Sequence, residues 1–318
     1  MQSPKELIFL QKMSAEFLRK LNTVIKDGDI ALNEPLSRHT TFKIGGPADV
    51  MLQPASPQEV AAAMQVATEF GVPITILGNG SNVLVLDGGI RGLVLKFGEK
   101  MAYIKHNGCT IIAGAGALLT DVSCYAAACA LTGMEFAVGI PGSIGGAVFM
   151  NAGAYDGEMS HIVSAVSCVT PLGKLRRFTK EEINFGYRYS IFQENECAIC
   201  EVELTLRPGD IASIEQKMKD YTCRRETKQP LEMPSAGSTF KRPPGYYAGT
   251  LIEETGLKGL RVGGAQVSLK HAGFIINTGG ATAKDVLQLI KEVQRRVYER
   301  VGVMLQPEVR ILGEEPEK

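Results

Sequence analysis

Apolar residues recur at three- and four-residue spacing in four segments of the chain, and this spacing predicts amphipathic helices. The predicted helices cover residues 14–26, 56–70, 208–226 and 281–302. Ser56, Pro57 and Glu59 predict a capping box with proline in the first turn of the second helix. Gly71 and Gly302 directly follow two of the segments, where glycine commonly ends a helix.

One face of each predicted helix is apolar, and we expect that face to cover a hydrophobic core. The residues that form these faces are Phe17, Leu18, Leu21, Val24 and Ile25; Val60, Ala63, Met64 and Ala67; Ile211, Ile214 and Met218; and Val286, Ile290, Val293, Val297 and Val301.

Short runs of β-branched and aliphatic residues lie between the helices and predict strands. Residues 47–77 predict a strand–helix–strand unit, residues 83–97 two short strands, residues 162–206 several strands, and residues 303–313 a last strand. Helices and strands that mix along the chain in this way predict an α/β fold.

Two glycine-rich segments are the strongest candidates for a binding site. The first is ILGNGSNVLV at 76–85, and the second, 135–159, has six glycines and no charged residue between Glu135 and Asp156. Glycine lets the backbone approach a ligand, and consecutive N–H groups in a turn bind anions. An ordinary turn explains the first segment equally well by itself. The two segments together favour a cofactor whose diphosphate is held by backbone amides.

A third segment, GAGALL at 114–119, approaches the dinucleotide-binding fingerprint G-x-G-x-x-G. Leu119 stands where that fingerprint has a third glycine, which allows a helix to pack closely on a strand. No acidic residue clearly ends a following strand about 20 residues further on. We therefore favour a structural role for this segment over a Rossmann site.

The chain has 34 lysines and arginines and 34 aspartates and glutamates, so its net charge is zero. A general nucleic-acid or acidic-membrane partner is therefore not expected. The N-terminal residues 1–13 have only a short apolar run and do not resemble a signal peptide. No segment approaches 18 consecutive apolar residues, so we expect no membrane span.

Seven cysteines, an odd number, favour a reduced, cytoplasmic protein. Cys197 and Cys200 form a C-x-x-C pair, but their segment alternates like a strand, which places them on opposite faces. No second pair or nearby histidine completes a set of four zinc ligands. We expect these two residues to pack in a core, and we expect no metal site.

The chain resembles the UDP-N-acetylenolpyruvoylglucosamine reductase family over nearly its whole length. The matching segments, in the family's order, are LSRHTTFKIGGPAD at 36–49, LGNGSNVLV at 77–85, GIPGSIGGAVFMNAGAY at 139–155, FGYRYS at 185–190, PSAGSTFKRPPG at 234–245, AGTLIEETGLKG at 248–259, GGAQVSLKHAGFIIN at 263–277 and QPEVRILG at 306–313. The segment between Arg188 and Arg207 is too short for the tyrosine-bearing loop of the family's longer form. The chain therefore resembles the shorter form.

This resemblance implies an α/β (α+β) fold of the vanillyl-alcohol-oxidase or PCMH type, with two FAD-binding subdomains and a C-terminal substrate-binding domain. Residues 1–98 and 303–318 would form the first subdomain, 99–207 the second, and 208–302 the substrate-binding domain. FAD would be bound non-covalently, with NADPH as co-substrate. His39 is the nearest candidate for covalent attachment, but the family resembles the non-covalent type.

The resemblance also implies which residues hold the cofactor. Those matched to the FAD diphosphate and ribityl chain are Gly78, Asn79, Gly80, Ser81, Asn82, Pro141, Gly142, Ser143, Gly145 and Gly146. Arg310 would lie near the flavin ring, where a cation stabilises the reduced anion.

The reaction implied is reduction of the enolpyruvyl group of UDP-N-acetylglucosamine enolpyruvate to UDP-N-acetylmuramate, in synthesis of peptidoglycan precursors for the cell wall. Flavin N5 would deliver hydride, and the resulting enolate must be stabilised and protonated. By motif match, Arg188 grips the carboxylate, Ser238 donates the proton and Glu308 hydrogen-bonds the enol.

Glu308 and Arg310 alternate with Val309 and Ile311 on the last predicted strand, which predicts one charged and one apolar face. Taken alone, the charged face is explained by contact with solvent. The resemblance instead places it in the cleft.

The UDP-sugar contacts implied by the resemblance are Tyr187, Lys228, Lys241 and Arg242. Solvated surface charge is the alternative explanation for the three cations. Two other functions also stay open, a flavin oxidase acting on another alcohol and a sugar-nucleotide-binding protein without redox activity. We expect a cytoplasmic monomer without nucleic-acid or membrane partners.

Overall fold

The computed structural model describes residues 15–316. Residues 1–14 and 317–318 lie outside this range, and with them the N-terminal segment 1–13, which is not expected to be a signal peptide. Among the described residues, no helix combines the length and the apolar composition needed to cross a bilayer.

The α-helices of the described range are α1 (15–24), α2 (Pro57–Glu69), α3 (Leu119–Ala128), α4 (Ile144–Phe149), α5 (Met159–Ile162), α6 (Lys180–Ile183), α7 (Ile211–Lys228), α8 (Ala248–Glu254) and α9 (Ala283–Val301). The strands are β1 (Asp29–Pro35), β2 (Pro47–Gln53), β3 (Ile74–Leu77), β4 (Val83–Val85), β5 (Ile90–Lys96), β6 (Ile104–Asn107), β7 (Thr110–Gly114), β8 (Leu131–Thr132), β9 (Gly153–Ala154), β10 (Gly157–Glu158), β11 (Val163–Val169), β12 (Leu175–Thr179), β13 (Ala198–Thr205), β14 (Arg207–Pro208), β15 (Ser235–Ser238), β16 (Arg261–Val262), β17 (Ala265–Val267), β18 (Phe274–Asn277) and β19 (Arg310–Leu312).

The first of two compact units comprises residues 15–32, Val50–Gly78 and Gly92–Met218. Its five-stranded sheet has the order β12-β11-β13-β7-β6, and all neighbours are antiparallel. In a second sheet, ordered β1-β2-β5-β3, the strands β5 and β3 pair in parallel. The predicted strand–helix–strand unit therefore exists as β2, α2 and β3, with β5 inserted between its two strands.

Glu59 in the first turn of α2 connects that helix to the chain after α1. Ser56 Oγ accepts a hydrogen bond from the Glu59 N–H, as the predicted capping box requires. The Glu59 carboxylate instead accepts from the N–H groups of residues 26–28, at 2.7–3.2 Å, and from Ala55 N at 2.8 Å. Burial acts to raise the pKa of Glu59, but these four donors outweigh it and lower the pKa.

We expect Glu59→Gln to lower the free energy of unfolding by about 2 kcal/mol at neutral pH, because an amide cannot replace four charge-assisted hydrogen bonds. A lowered pKa stabilises the fold above the unfolded value and loses that effect as pH falls through the folded value. The difference from wild type should therefore shrink below about pH 4.5. Denaturant titrations across this range measure it. Glu69→Gln, at an exposed position of the same helix, is the matched control, and an equal loss there would contradict the assignment.

The second unit comprises Asn33–Asp49, Asn79–Arg91 and residues 219–316. Its four-stranded sheet has the order β15-β18-β17-β16, and β19 pairs in parallel with β4. The helix α9 covers the core of this unit with the predicted face. The buried residues on that face are Val286, Leu289, Ile290, Val293 and Val297.

Five predicted apolar positions are not buried: Leu18 and Val24 of α1 are half-buried, and three others are exposed. Ile211 and Val301, at the first residue of α7 and the last of α9, are 46% and 39% exposed. The ends of a helix extend beyond the core that its middle covers. Apolar residues that continue the periodic pattern to the helix ends are therefore exposed to solvent. Ile311 on β19 is 46% exposed while Val309 is buried, so the predicted apolar face of the last strand is only partly formed. Cys197 and Cys200 are buried, as core packing predicts.

Candidate active site

The first glycine-rich turn begins where β3 ends in the first unit. Gly78 lies directly against Ser143, and a Cβ atom at Gly78 would collide with Ser143 Oγ. Ser143 is 1% exposed, and its Oγ has no hydrogen-bond partner among the residues of the described range. A buried hydroxyl in this state costs free energy unless a ligand or water satisfies it.

The second glycine-rich segment contains a short helix, α4. Gly145 allows this helix to approach Ala115, since a Cβ atom there would lie 2.9 Å from Ala115 Cβ. Backbone hydrogen bonds join Ile144 N to Ala117 O, Gly145 N to Ala115 O and Leu119 N to Gly142 O at 2.8–3.0 Å. Close packing on the GAGALL segment, rather than ligand contact alone, therefore accounts for part of the glycine content.

Arg188 and Tyr187 form the tip of a tight hairpin in the same unit. Gly186 and Tyr189 exchange backbone hydrogen bonds at 3.0 and 3.2 Å, which closes the turn. Arg188 has φ +55°, and its guanidinium carbon lies 5.1 Å from the centroid of the exposed Tyr187 ring. Its Nη2 donates to Gly153 O at 3.4 Å. The turn thus presents a cation and an aromatic ring together.

Asn151 supports this hairpin, and sequence reasoning missed it. Its Nδ2 donates to Gly186 O at 2.9 Å and to Glu158 Oε1 at 3.2 Å, and its Oδ1 accepts from Ser160 N at 2.9 Å. Burial acts to raise the pKa of Glu158, but hydrogen bonds from Ser160 and Asn151 outweigh it and lower the pKa. The sequence offered only a polar amide within an uncharged, glycine-rich run, and the structure shows that this residue is buried.

The rest of the first turn, Asn79–Asn82, belongs to the second unit. Gly80 has φ +63°, and a Cβ atom there would collide with His39 O and lie 2.9 Å from Thr40 Cα. Thr41, a second residue that sequence reasoning missed, donates its N–H to Gly80 O at 3.2 Å and its hydroxyl to Ser235 O at 2.7 Å. These bonds hold the turn against the strand that carries Ser238.

Glu308 and Arg310 lie beside the end of the same turn. Asn82 Nδ2 donates to Glu308 O at 3.2 Å, and Arg310 N donates to Asn82 O at 3.0 Å. Both side chains are half-buried, and burial lowers the pKa of the Arg310 guanidinium. A cation kept partly away from water is suited to a nearby anionic group.

Ser238 ends β15 with its side chain exposed. Its neighbour Thr239 fixes the strand, because Thr239 N donates to Gly273 O and Thr239 O accepts from Glu308 N, both at 2.8 Å. The structure therefore brings the backbones of Ser238, Glu308 and the first turn together within the second unit.

The three basic residues assigned to the UDP-sugar occupy different settings in the second unit. Arg242 stacks its guanidinium 4.0 Å from the centroid of the exposed Tyr247 ring. Lys241 N donates to Gln306 O at 2.8 Å, beside the Glu308 segment. Lys228 is exposed at the end of α7. The pKa of His271 is lowered mainly by burial, and the positive charge of Lys228 lowers it further.

The chain matches two family models. Residues 229–312 match the model described as UDP-N-acetylenolpyruvoylglucosamine reductase, C-terminal domain, and residues 48–179 match the FAD binding domain. A reductase of this name from Clostridium perfringens is 51% identical over 298 residues, which cover 94% of this chain and 98% of the relative. The chain belongs to the UDP-N-acetylenolpyruvoylglucosamine reductase family.

Further relatives agree with this membership. A reductase of this family from Exiguobacterium sibiricum is 50% identical over 303 residues, 95% of this chain and 99% of the relative. The crystal structure of the family member from Thermus caldophilus superposes with a TM-score of 0.77 at 38% identity, covering 90% of this chain and 98% of that one. The FAD-binding fold predicted from the resemblance is confirmed. The three-part division at 98, 207 and 302 and the roles of the individual site residues stay predictions.

The residues of the FAD-binding domain fit FAD. Ser143 Oγ is a buried hydroxyl that no described residue satisfies, and Gly78, which has no side chain, packs directly against it. Such a side-chain-poor, donor-bearing surface suits the oxygen atoms of a diphosphate.

Proposed function

We propose that this FAD-dependent oxidoreductase reduces UDP-N-acetylglucosamine enolpyruvate to UDP-N-acetylmuramate, a step in the synthesis of peptidoglycan precursors, with NADPH as the electron donor. The observation that carries the proposal is identity of about half the residues, over 94% of the chain, to relatives named for the reduction of this substrate. FAD, when bound, supplies the hydride for the enolpyruvyl group. The protein acts in the cytoplasm as a monomer.

Arg188 and Tyr187 bind the enolpyruvyl end of the substrate in this proposal. A planar guanidinium holds a carboxylate through two parallel hydrogen bonds. The network of Asn151 and Glu158 supports the proposed role, because it fixes the hairpin on which Arg188 lies. A rigid turn positions the carboxylate with little loss of conformational entropy on binding.

Ser238 donates the proton to the enolate carbon, and Glu308 hydrogen-bonds the enol oxygen. A serine hydroxyl is a weak acid, so it must be held in place to act. The backbone bonds of Thr239 to Gly273 and Glu308 support this proposal, since they fix the strand at the residue after Ser238. Arg310 adds positive charge beside the flavin ring. Lys228, Lys241 and Arg242 contact the UDP diphosphate.

The purified protein should be yellow and should bleach when mixed anaerobically with NADPH. Addition of the enolpyruvyl sugar nucleotide should then restore the oxidised spectrum within seconds and yield UDP-N-acetylmuramate. A protein that binds UDP-sugars but never retains FAD would identify the binding protein without redox activity. Bleaching that only oxygen reverses, with no effect of the enolpyruvyl substrate, would favour an oxidase instead.

A further inference from the structure

Gln193 is a polar residue beside the Arg188 hairpin to which the site described above gives no role. Its side-chain Nε2 donates to Arg188 O and to Phe149 O, both at 2.9 Å. A glutamine amide nitrogen has two N–H donors, so these two carbonyl oxygens use both of them. Gln193 thus connects the residue proposed to hold the substrate carboxylate directly to Phe149, the last residue of α4.

The bond to Phe149 has an ordinary structural explanation, and the bond to Arg188 does not. Carbonyl oxygens in the last turn of a helix have no partner within the helix and are satisfied by groups outside it. Ser190 Oγ also donates to Phe149 O, at 2.9 Å. Capping of α4 therefore does not account for the second donor of Gln193, the one that binds Arg188 O.

Arg188 has a backbone conformation that its surroundings must hold. Its φ is +55°, in the left-handed region, which is strained for residues with a side chain and which glycine adopts freely. Such strain persists where neighbouring contacts fix the backbone, and it is common at functional sites. The bonds between Gly186 and Tyr189 close the turn around Arg188. Gln193 fixes the carbonyl group of Arg188 itself.

Gln193 is in turn held by the core of its unit. The preceding residue, Phe192, is 2% exposed, and its ring packs edge-on against Phe178 of β12 at a centroid distance of 5.2 Å. At the other end of the connection, α4 begins next to Ser143, in the segment proposed to bind FAD. The Gln193 amide therefore ties the Arg188 turn to the helix that starts at the proposed flavin site.

We propose that Gln193 is a positioning residue for reduction of the enolpyruvyl substrate. Its amide keeps Arg188 in the strained conformation that directs the guanidinium to the substrate carboxylate. A turn fixed before binding loses little conformational entropy when the substrate arrives. The inference rests on the proposed function and on the role given there to Arg188. Gln193 touches neither substrate nor flavin in this role and acts only through Arg188.

Gln193→Met tests the proposal, because methionine has a similar length and no N–H donor. Wild type and variant are reduced with NADPH, and reoxidation of the flavin is followed anaerobically over a range of enolpyruvyl substrate concentrations. We expect the half-saturating concentration to rise about tenfold, because Arg188 binds the carboxylate in the ground state and the transition state alike. The limiting rate of reoxidation and the rate of reduction by saturating NADPH should each change by no more than about twofold.

Gln65→Met is the matched control. Gln65 Nε2 also donates to a turn carbonyl, Gly173 O at 3.3 Å, but from α2, which contributes no proposed site residue. Both rates and the half-saturating concentration should stay at their wild-type values. Gln193→Glu keeps the shape of the side chain and replaces its two N–H donors with an acceptor. It should raise the half-saturating concentration at least as much as Gln193→Met.

A double-mutant cycle with Arg188→Met separates positioning from general packing. If Gln193 acts through Arg188, Gln193→Met should have little further effect on substrate binding once Arg188 has been replaced. An equal effect in both backgrounds would overturn the inference. So would an unchanged half-saturating concentration in Gln193→Met, or equal slowing of both half-reactions. Reduced wild-type protein that the enolpyruvyl substrate does not reoxidise would instead overturn the proposed function.

Discussion

Ser238→Ala should leave reduction of the bound flavin by NADPH near the wild-type rate and slow its reoxidation by the enolpyruvyl substrate by about 10²–10⁴-fold, the usual contribution of a positioned acid. The proton is needed only after hydride has reached the substrate, so only the second half-reaction loses it. The strand should survive the change, because Thr239 holds it through backbone bonds to Gly273 and Glu308.

Stopped-flow absorbance of the flavin, recorded anaerobically for each half-reaction, measures the two rates separately. Ser213→Ala is the control, because it removes another hydroxyl, one that donates to Asp210 at the start of α7. Both rates should be unchanged in this variant. Equal slowing of both half-reactions by Ser238→Ala would show that this serine positions flavin or nicotinamide and does not donate the proton.

Local sequence signals predicted the elements that frame the site. The turn at Gly80 lies between β3 and β4 as predicted, because glycine and asparagine separate two runs of aliphatic residues. The α9 helix also follows its pattern. Thr282 and Asp285 form a reciprocal capping box at its start, and Gly302 with φ +70° ends it. Each of these features is decided by residues within a few positions of one another.

Features that depend on residues far apart in the chain could not be predicted in this way. Glu59 satisfies a capping pattern, yet its carboxylate turns to residues 26–28. Thr41 reaches Ser235, 194 positions away. Lys96 ends an apolar strand, where a lysine ordinarily extends into water, and only the packing around it shows that it is buried. The sequence pattern was therefore sufficient to locate the loops of the site. The side chains that support those loops could be identified only from the three-dimensional structure.

Gly80→Ala should cost the protein both its flavin and a large part of its stability. The backbone at Gly80 has φ +63°, which costs an alanine about 1–2 kcal/mol. The added Cβ atom would also collide with His39 O and lie 2.9 Å from Thr40 Cα. Both neighbours are backbone atoms in a segment fixed by hydrogen bonds from His39 N to Leu36 O and from Thr41 N to Gly80 O, so no side-chain rotation relieves the contact.

Gly71→Ala distinguishes the effect of the Cβ collision at Gly80 from the effect of backbone strain at a positive φ. Gly71 has φ +64°, almost the same as Gly80, but no atom lies within 4 Å of the position of its Cβ. That variant should lose only the roughly 1–2 kcal/mol of conformational strain and keep its flavin. The ratio of flavin to protein absorbance and denaturant titrations of both variants provide the comparison. If Gly80→Ala purified with a full complement of flavin, the turn would not need to approach its neighbours this closely, and its glycine would serve the backbone conformation alone.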